Sequence, residues 1–440
     1  MCYAKETRIK MPNRRPRDTT WFKLDNAAKI YPALKNSKDS FVYRIAVRLK
    51  DTIKPDMLQD ALVDLAPRFP SMFVRIKHGF FWYYLEANPK LPQIHPEPAL
   101  INQKIDSQAN NHFFFSVFYY QNRISLETFH SLCDGDAAIE FMKALIFRYL
   151  QLLGHDVKSD GKILTVDQYP SPEETEDSFV KYADKSGKKR EAIIPAYHVR
   201  AKKFVYDEGR GVITGRMKAE QLIPVSKKYG VTLTQYFVAL LTYAIYESYN
   251  GFIPENRPIK IAVPVNMRRY FPSKSLRNFT QYIHTIVHVK PNLTFREVLD
   301  KVKRDFEEEI KLETFQGSIN ANVYAEKNFF VRIMPLFLKK FVLGIVGTRL
   351  GSRLETGTIS NVGIVTMPES VMPYVESFEF NLTTAAVSVH GIGIGTFNGI
   401  TTISFLRSIY DTSVERRFFK TLVNEGVEVT VESNFWEDKA

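Results

Sequence analysis

The chain has 440 residues, a length that predicts two or three domains at about one domain per 150 residues. Hydrophobic residues make up 45% of it and charged residues 25%, which excludes a disordered, collagen-like or coiled-coil chain. Cys2 and Cys133 are its two cysteines, too few for a disulfide framework. The formal net charge of +12 favours an anionic partner.

The first 154 residues alternate strand and helix patterns. Residues 41–49 alternate apolar and charged side chains, which predicts a half-buried strand. A helix over 55–66 begins at Pro55. Two hairpins follow, one turning at His78-Gly79 and one about Asn122-Arg123. A long helix from about residue 136 to 153 then ends at Gly154.

Residues 155–200 are polar, charged and poor in large apolar side chains, so we expect a connector there. This divides the chain into a first subdomain, 1–154, the connector, 155–200, and a second subdomain, 201–440. No short repeat is visible. Two halves of mixed helix and strand predict an α/β (α+β) protein.

The second half repeats the mixed pattern. Strands are expected at VITGRM, IKIAVPV, QYIHTIVHV and VEVTVES, and near 357–365, 375–381, 385–390 and 399–406. The apolar stretch TQYFVALLTYAIYESY predicts a helix capped by Thr232 or Thr234. Capping boxes are expected at Thr294-Phe-Arg-Glu297 and Thr412-Ser-Val-Glu415. Gly391-Ile-Gly-Ile-Gly395 lacks a following helix, so we expect a hairpin turn rather than a dinucleotide loop.

Two long windows contain no acidic residue. The windows are 256–296 and 327–354, with eight and six lysines or arginines respectively. Nucleic acid, anionic lipid, an acidic carrier protein and a phosphorylated cofactor all fit such a field, and so does a solvated basic face. No helix-turn-helix, zinc finger or RNP-type motif favours nucleic acid.

Targeting and membrane signals are weak. The first residues have no apolar core typical of a signal peptide, so a cytoplasmic location is expected. The apolar stretch 329–346 contains Arg332, Pro335, Lys339 and Lys340. We therefore expect a packed or surface helix there, with no membrane span, although peripheral contact with a membrane stays compatible with it.

The most informative motif is His130-Ser-Leu-Cys-Asp134-Gly135. Ile124, Leu126 and His130 share one face of a predicted strand, and a helix begins after Asp134. A histidine at the apolar end of a strand can serve as a general base, because imidazole titrates near neutral pH. Asp134 can pair with a basic residue or cap the helix. Gly135 is expected to permit a tight turn between strand and helix.

Further segments occur in the order found in a known superfamily. They are Arg68-Phe-Pro-Ser-Met-Phe-Val-Arg75, Val263-Pro-Val-Asn-Met-Arg-Arg269, the 271–279 stretch FPSKSLRNF, and Ser360-Asn361-Val362-Gly363. With HxxxDG, they resemble the acyltransferase superfamily of chloramphenicol acetyltransferase and peptide-synthetase condensation domains, and within it the alcohol acetyltransferase branch. The resemblance covers roughly residues 20–433. Phe129 stands where the fuller motif often has a first histidine, and the plant-type DFGWG signature is absent.

The resemblance implies two chloramphenicol acetyltransferase-like subdomains, each with a mixed sheet flanked by helices, and an active-site channel between them. It implies transfer of an acyl group from acyl-CoA to an alcohol, without a covalent acyl-enzyme. Acyl-CoA would be a co-substrate, and no tightly bound cofactor is expected. A donor bound to an acyl carrier protein is the alternative, and a non-catalytic anion-binding protein of the same fold is a third.

The same resemblance implies roles for individual residues. His130 would be the base, Asp134 a structural residue of the catalytic motif, and Arg268 the partner of Asp134. Residues expected near substrate or CoA are Asn278, Ser360, Asn361, Lys274 and Arg277. Cys133 has no obvious partner for nucleophilic catalysis except His130. No metal site is expected, because His284 and His288 lie on a strand without further ligands. The acyl chain, the acceptor and the oligomeric state stay open.

Overall fold

The computed structural model describes residues 21–34, 40–187, 194–204, 210–349, 354–383 and 390–434, with the backbone alone at 344–349. The first part of the chain forms β1 (Trp21–Lys23), α1 (Ile30–Leu34), β2 (Val42–Leu49), α2 (Pro55–Asp64), β3 (Val74–His78), β4 (Tyr83–Ala87), β5 (Ile94–Pro96), β6 (Phe115–Tyr120), β7 (Arg123–Phe129), α3 (Gly135–Leu152) and α4 (Ser178–Tyr182).

The remaining elements alternate in the same way. They are β8 (Gly211–Lys218), α5 (Ala219–Lys228), α6 (Leu233–Tyr249), β9 (Ile259–Asn266), β10 (Thr280–Val287), α7 (Phe295–Glu309), α8 (Leu312–Lys327), α9 (Phe329–Ile333), α10 (Leu336–Arg349), β11 (Gly357–Ile364), β12 (Val375–Asn381), β13 (His390–Phe397), β14 (Ile400–Arg407), α11 (Ser413–Asn424) and β15 (Thr430–Ser433).

Two large mixed sheets organise these elements. One has the order β12-β2-β7-β6-β5, and the other has the order β10-β9-β11-β13-β14-β8-β15. A small sheet, β1-β4-β3, accompanies the first. Apolar faces of α2 and α3 complete the first core, and those of α6, α7 and α11 complete the second. The predicted α/β class with helix-flanked mixed sheets is confirmed.

The chain does not divide between the sheets at one point. Strand β12 belongs by sequence to the second half, yet it pairs antiparallel with β2 in the first sheet. The connector is also packed rather than loose. Glu174 accepts hydrogen bonds from the buried Arg68, at 2.5 and 3.0 Å, and its carbonyl accepts one from the Leu276 amide at 2.8 Å. Residues of the connector therefore touch both halves.

Strand β2 is buried on both faces, which corrects the half-buried strand expected from its alternation. Arg44, expected on the exposed face, is 3% exposed. Its guanidinium lies 3.1 Å from Glu97 and 3.3 Å from Glu127. A buried charge is tolerated when it is paired, so these two carboxylates allow Arg44 to lie inside.

Of the two expected capping boxes, one is present. Thr294 and Glu297 cap α7 reciprocally, as predicted. Thr412 makes no capping hydrogen bond at α11. Asp411 accepts from the Ser413 amide at 2.9 Å instead, and Glu415 is turned inward, 1% exposed. The Thr412–Glu415 prediction was wrong because tertiary burial of Glu415 removed the side chain that the motif needs.

The glycines at 391–395 lie within the central strand β13, so the expected hairpin turn was wrong. The turn is at Asn398-Gly399, where both residues have positive φ. A Cβ on Gly393 would lie 1.9 Å from the Phe380 carbonyl oxygen, and one on Gly391 would lie 2.7 Å from the Thr383 carbonyl oxygen. Glycine is required here because β12 and the residue pair after it press directly on β13.

Residues 329–346 form α9 and most of α10, on the surface as expected. Across the described ranges, no helix is long and apolar enough to cross a bilayer. The other expected strands and helices are present near their predicted bounds, except that residues 385–389 of one expected strand lie outside the described residues.

Candidate active site

His130 follows β7 at the edge of a cavity between the two large sheets. Its amide donates to the Phe41 carbonyl at 2.9 Å, and its carbonyl accepts from the Asn278 side chain at 3.0 Å. The ring stacks on Tyr31, with centroids 5.1 Å apart, and tilts against Tyr43 at 4.7 Å. Backbone and ring are thus both held, which fixes the imidazole at one position.

The protonation state of His130 follows from its surroundings. Although part of the ring faces the cavity, the residue lies deep in the protein, and this burial lowers its pKa to about 4. The nearby Asp134 charge and the Asn278 side chain oppose the shift without reversing it. His130 is therefore neutral at pH 7 and can accept a proton. Its Nδ1 is buried without a hydrogen-bond partner among the described residues.

Asp134 is the N-cap of α3 and the centre of a hydrogen-bonded cluster. Its Oδ1 accepts from the Ala137 amide at 3.2 Å. Its Oδ2 accepts from Arg268 at 2.8 Å, from the Phe279 amide at 2.8 Å and from the Thr280 hydroxyl at 3.2 Å. The structure thus contains the expected pair of Asp134 and Arg268. These contacts tie the motif of the first half to the β9–β10 segment of the second.

Arg268 makes further bonds that hold the same segment. Its guanidinium donates to the Ser275 carbonyl, at 2.8 and 2.9 Å, and to the Arg277 carbonyl at 2.6 Å. Burial of this arginine is compensated by the Asp134 carboxylate, which raises its pKa. Arg268 therefore organises the loop that leads to Asn278 and does not itself line the cavity.

Gly135 has a different role from the one expected. It begins α3 without a positive φ, so no special turn depends on it. A Cβ at this position would lie 3.2 Å from the Phe380 ring. Gly135 also lines the cavity. The glycine therefore provides room for the close approach of β12 to the start of α3.

Cys133 is buried inside the motif and is not suited to be a nucleophile. Burial raises the pKa of its thiol to about 12. Its sulfur lies 3.4 Å from the Tyr43 hydroxyl and 3.6 Å from the Met72 sulfur. Because the thiolate is the reactive form, this thiol is inert near neutral pH.

Asp25 is a residue of the site that sequence reasoning missed. It is fully buried, and its Oδ2 lies 3.2 Å from the Asn278 side-chain nitrogen and 3.4 Å from an Arg277 nitrogen. Asn278 thus bridges Asp25 to the His130 carbonyl while also lining the cavity. Asp25 and Asn278 are 253 residues apart in the chain, so no local sequence signal connects them.

The expectation that Arg277 binds a nucleotide phosphate is corrected by its position. Arg277 is 1% exposed, is paired with Asp25 and donates to the Lys23 carbonyl at 3.1 Å. It therefore holds the N-terminal segment against the loop and cannot reach a phosphate in solvent. Lys274 is exposed and lies 3.0 Å from Glu173, outside the large cavity.

The cavity has a volume of about 1150 Å³ and receives side chains from both halves. Besides His130, its lining includes Tyr31, Phe41, Tyr43, Asn266, Asn278, Thr280, Tyr282, Ser360 and Asn361. Asn361 donates to the Thr234 hydroxyl at 3.0 Å and accepts from the Gly363 amide at 2.9 Å, so its amide is already engaged. A space of this size accommodates two substrates of moderate size around one imidazole.

In the described part of the chain, no group of three His, Cys, Asp or Glu side chains is placed to hold a metal ion. His284 lies 3.4 Å from Glu355, and His288 is not part of that pair.

The cavity brings together six of the residues that the sequence predicts for the site. They are His130, Asp134, Gly135, Asn278, Ser360 and Asn361.

Comparisons with known proteins identify the fold. Neither a protein-family model nor a curated protein sequence matches this chain. Among solved structures, the trichothecene 15-O-acetyltransferase from Fusarium sporotrichioides matches with a TM-score of 0.58 and 12% identity, over 92% of this chain and 94% of that one. The first condensation domain of the CDA synthetase matches with a TM-score of 0.56 and 12% identity, over 93% and 97%.

A variant of the starter condensation domain of rhizomide synthetase, solved in complex with C8-CoA, matches with a TM-score of 0.54 and 13% identity, over 92% of this chain and 95% of that one. The fold is therefore the one shared by condensation domains and chloramphenicol acetyltransferase-like acyltransferases. At this level of identity the likeness concerns the fold.

Proposed function

We propose that this protein transfers an acyl group from acyl-CoA to the hydroxyl of an alcohol, with His130 as general base. The observation that carries the proposal is a neutral, positioned imidazole on the wall of a cavity built by both halves. Similar solved structures support it, since one is an O-acetyltransferase and another was solved with C8-CoA.

The reaction follows from what a neutral imidazole can do. His130 takes the proton of the acceptor hydroxyl as the hydroxyl oxygen bonds to the thioester carbonyl carbon. The carbonyl oxygen becomes an oxyanion in a tetrahedral intermediate. When the carbon–sulfur bond breaks, the imidazolium returns its proton to the departing sulfur. The products are the ester and free CoA thiol, and His130 is neutral again.

The neighbours of His130 supply positioning and charge. The Asp134 carboxylate favours the imidazolium that forms in the reaction, because its charge raises the His130 pKa. Asp134 and Arg268 act as positioning residues, since their hydrogen bonds go to the protein rather than to the cavity. Ser360 is the stronger candidate for contact with the oxyanion or the pantetheine arm, because the Asn361 amide is already engaged.

A donor carried by an acyl carrier protein is the second candidate. The burial of Arg277 favours it, because one of the two cations expected to bind CoA phosphates is committed elsewhere. CoA and a carrier protein present the same pantetheine arm but differ in what lies beyond it. The choice between them therefore concerns the outer end of the cavity and not the chemistry at His130.

The test is release of free thiol from a panel of acyl-CoA thioesters in the presence of alcohols. We expect His130→Ala to lower kcat/KM by about 10² to 10⁴-fold. His95→Ala is a matched control, since His95 lies on the edge strand β5 and does not line the cavity. A His130→Ala variant that turns over like the wild type would contradict the proposal. Activity with an acylated carrier protein but with no acyl-CoA would instead favour the second candidate.

A further inference from the structure

One surface of the protein exposes far more aromatic side chain than a soluble surface ordinarily does. It lies on the tip of the β3–β4 hairpin and on α9 and α10. We name it the apolar platform, and it consists of Phe80, Phe81, Phe329, Phe330, Ile333, Phe337, Leu338, Phe341 and Val342. Phe80, Phe330 and Phe337 are each more than 70% exposed. Single exposed apolar residues are normal, whereas a cluster of this kind indicates an interaction surface.

Within the platform, the hairpin tip and α10 form one surface because they are bonded to each other. The Leu336 amide donates to the Phe80 carbonyl at 2.9 Å. The Lys339 ammonium donates to the Phe81 carbonyl at 2.8 Å and lies 3.9 Å from the centre of the Trp82 ring. These contacts fix α10 on the hairpin, so its outer face is held in place.

Helix α10 points its apolar stripe outward. Phe337, Phe341 and Val342 are exposed at helical spacing, while Leu336 and Lys339 face the protein and are about 5% exposed. A core helix has the opposite arrangement. Lys339, on the inner face, binds the Phe81 carbonyl and the Trp82 ring. These contacts hold α10 in the orientation that exposes the apolar stripe.

The charge of this region indicates what the platform meets. From 327 to 354 the chain contains no acidic residue. Lys327 and Arg332 are exposed beside the aromatic side chains. Aromatic and aliphatic residues flanked by cations are typical of helices that lie in the interface of an anionic membrane. We propose that the apolar platform docks this protein on an anionic lipid bilayer.

Residues next to the platform in the chain also line the cavity. Trp82, between the hairpin tip and β4, lines the cavity, and so do Ile30 of α1 and Val331 of α9. A substrate dissolved in the bilayer can therefore enter beside α9 without crossing water. This part of the inference rests on the proposed function and assigns the acceptor or the acyl chain to lipid-like molecules. Docking itself does not depend on it.

Vesicle flotation with the full chain tests the docking. We expect strong binding to vesicles of equal parts phosphatidylcholine and phosphatidylglycerol, and weak binding to phosphatidylcholine alone. The double variant Phe337→Ser with Phe341→Ser should bind about 100-fold more weakly, since burying one Phe contributes about tenfold or more to a partition constant. Phe252→Ser is the matched control, because Phe252 is 78% exposed at the end of α6 and outside the platform.

A charge variant tests the lipid preference separately. Lys327→Glu with Arg332→Glu should lower binding to the mixed vesicles by about tenfold or more, because each cation near an anionic surface contributes about fivefold. It should leave the weak binding to phosphatidylcholine unchanged. Since both residues are exposed, this variant also covers the case in which the aromatic variant fails to fold.

Two results would overturn the proposal. One is wild-type protein that does not float with the mixed vesicles. The other is a wild-type protein that binds no vesicles and sediments as a dimer, whereas the Phe337/Phe341 variant sediments as a monomer. That result would assign the platform to contact with a second copy of the chain. Thiol release with a short, water-soluble acyl-CoA and alcohol should stay at the wild-type rate in both variants. Failure of docking and failure of acyl transfer are thus measured independently.

Discussion

Replacing Asp134 by asparagine is expected to damage stability at least as much as catalysis. The Oδ2 of Asp134 receives three donors, from Arg268, Phe279 and Thr280. In asparagine, an NH2 group replaces one of the two carboxylate oxygens. Because both oxygens of Asp134 accept hydrogen bonds, this NH2 group would point at another hydrogen-bond donor. It would also leave the guanidinium of Arg268 without its charge partner inside the protein.

The size of the effect follows from the burial of the pair. The side chains of Asp134 and Arg268 are 3% and 15% exposed, and removal of one partner of a buried ion pair costs about 3–5 kcal/mol. A globular protein has about 5–15 kcal/mol of stability in total. At about 2–4 °C per kcal/mol for a cooperative unit of 150–250 residues, Tm should fall by roughly 6–20 °C.

Thermal melting followed by circular dichroism, beside the thiol-release assay, measures this. Asp136→Asn, two residues further along the chain, is the matched control. Burial and the Asp134 charge raise the Asp136 pKa to about 6, above its value in the unfolded chain, so ionisation of Asp136 lowers the stability of the fold at neutral pH. Asp136→Asn should therefore keep or raise Tm at pH 7.5. An Asp134→Asn protein that melts like the wild type but is inactive would refute the reasoning and make Asp134 a direct participant.

Three further predictions concern pH and packing. Because the His130 pKa is about 4, kcat/KM should stay level from pH 8 to about 5 and fall only near pH 4; a limb centred near pH 6.5 would contradict this. The same depressed pKa contributes stability above pH 6.5 that is lost as pH falls toward 4, so acid melts should show a declining Tm over that range. Gly393→Ala should prevent folding or lower Tm severely, since its Cβ would lie 1.9 Å from the Phe380 carbonyl oxygen. Gly395→Ala is the matched control, because its Cβ would meet only the Val362 side chain at 3.2 Å, and equal melting of the two variants would contradict the packing argument.

Local patterns predicted most helices and strands, because they depend on neighbours within one turn or one strand. The limit of this reasoning is visible in the two capping motifs. Glu297 lies at the surface and caps α7, whereas Glu415, in the same local pattern, lies 3.6 Å from the buried His390. Only the rest of the fold determines which glutamate faces water.

The glycines of β13 show the same limit. Gly391 and Gly393 resemble turn residues in sequence, but backbone atoms of β12 and of the residue pair after it are what exclude a side chain there. At the candidate site, the strand position of His130 follows from its own neighbours. Asp25 and Arg277, which form an ion pair, lie far apart in the chain. No local pattern in a single sequence predicts that they meet.

Strand β12 comes from the second half of the chain but lies in the sheet of the first half. This placement has a consequence for folding during synthesis. Arg48 of β2 pairs with Glu379 of β12 across 331 residues of chain. At roughly 5–20 residues per second on the ribosome, β2 waits about 15 to 70 s for its neighbour. Over that interval the edge of β2 presents unpaired backbone groups that can join another chain. During synthesis, this strand is therefore where we expect chaperones to bind and where aggregation would begin.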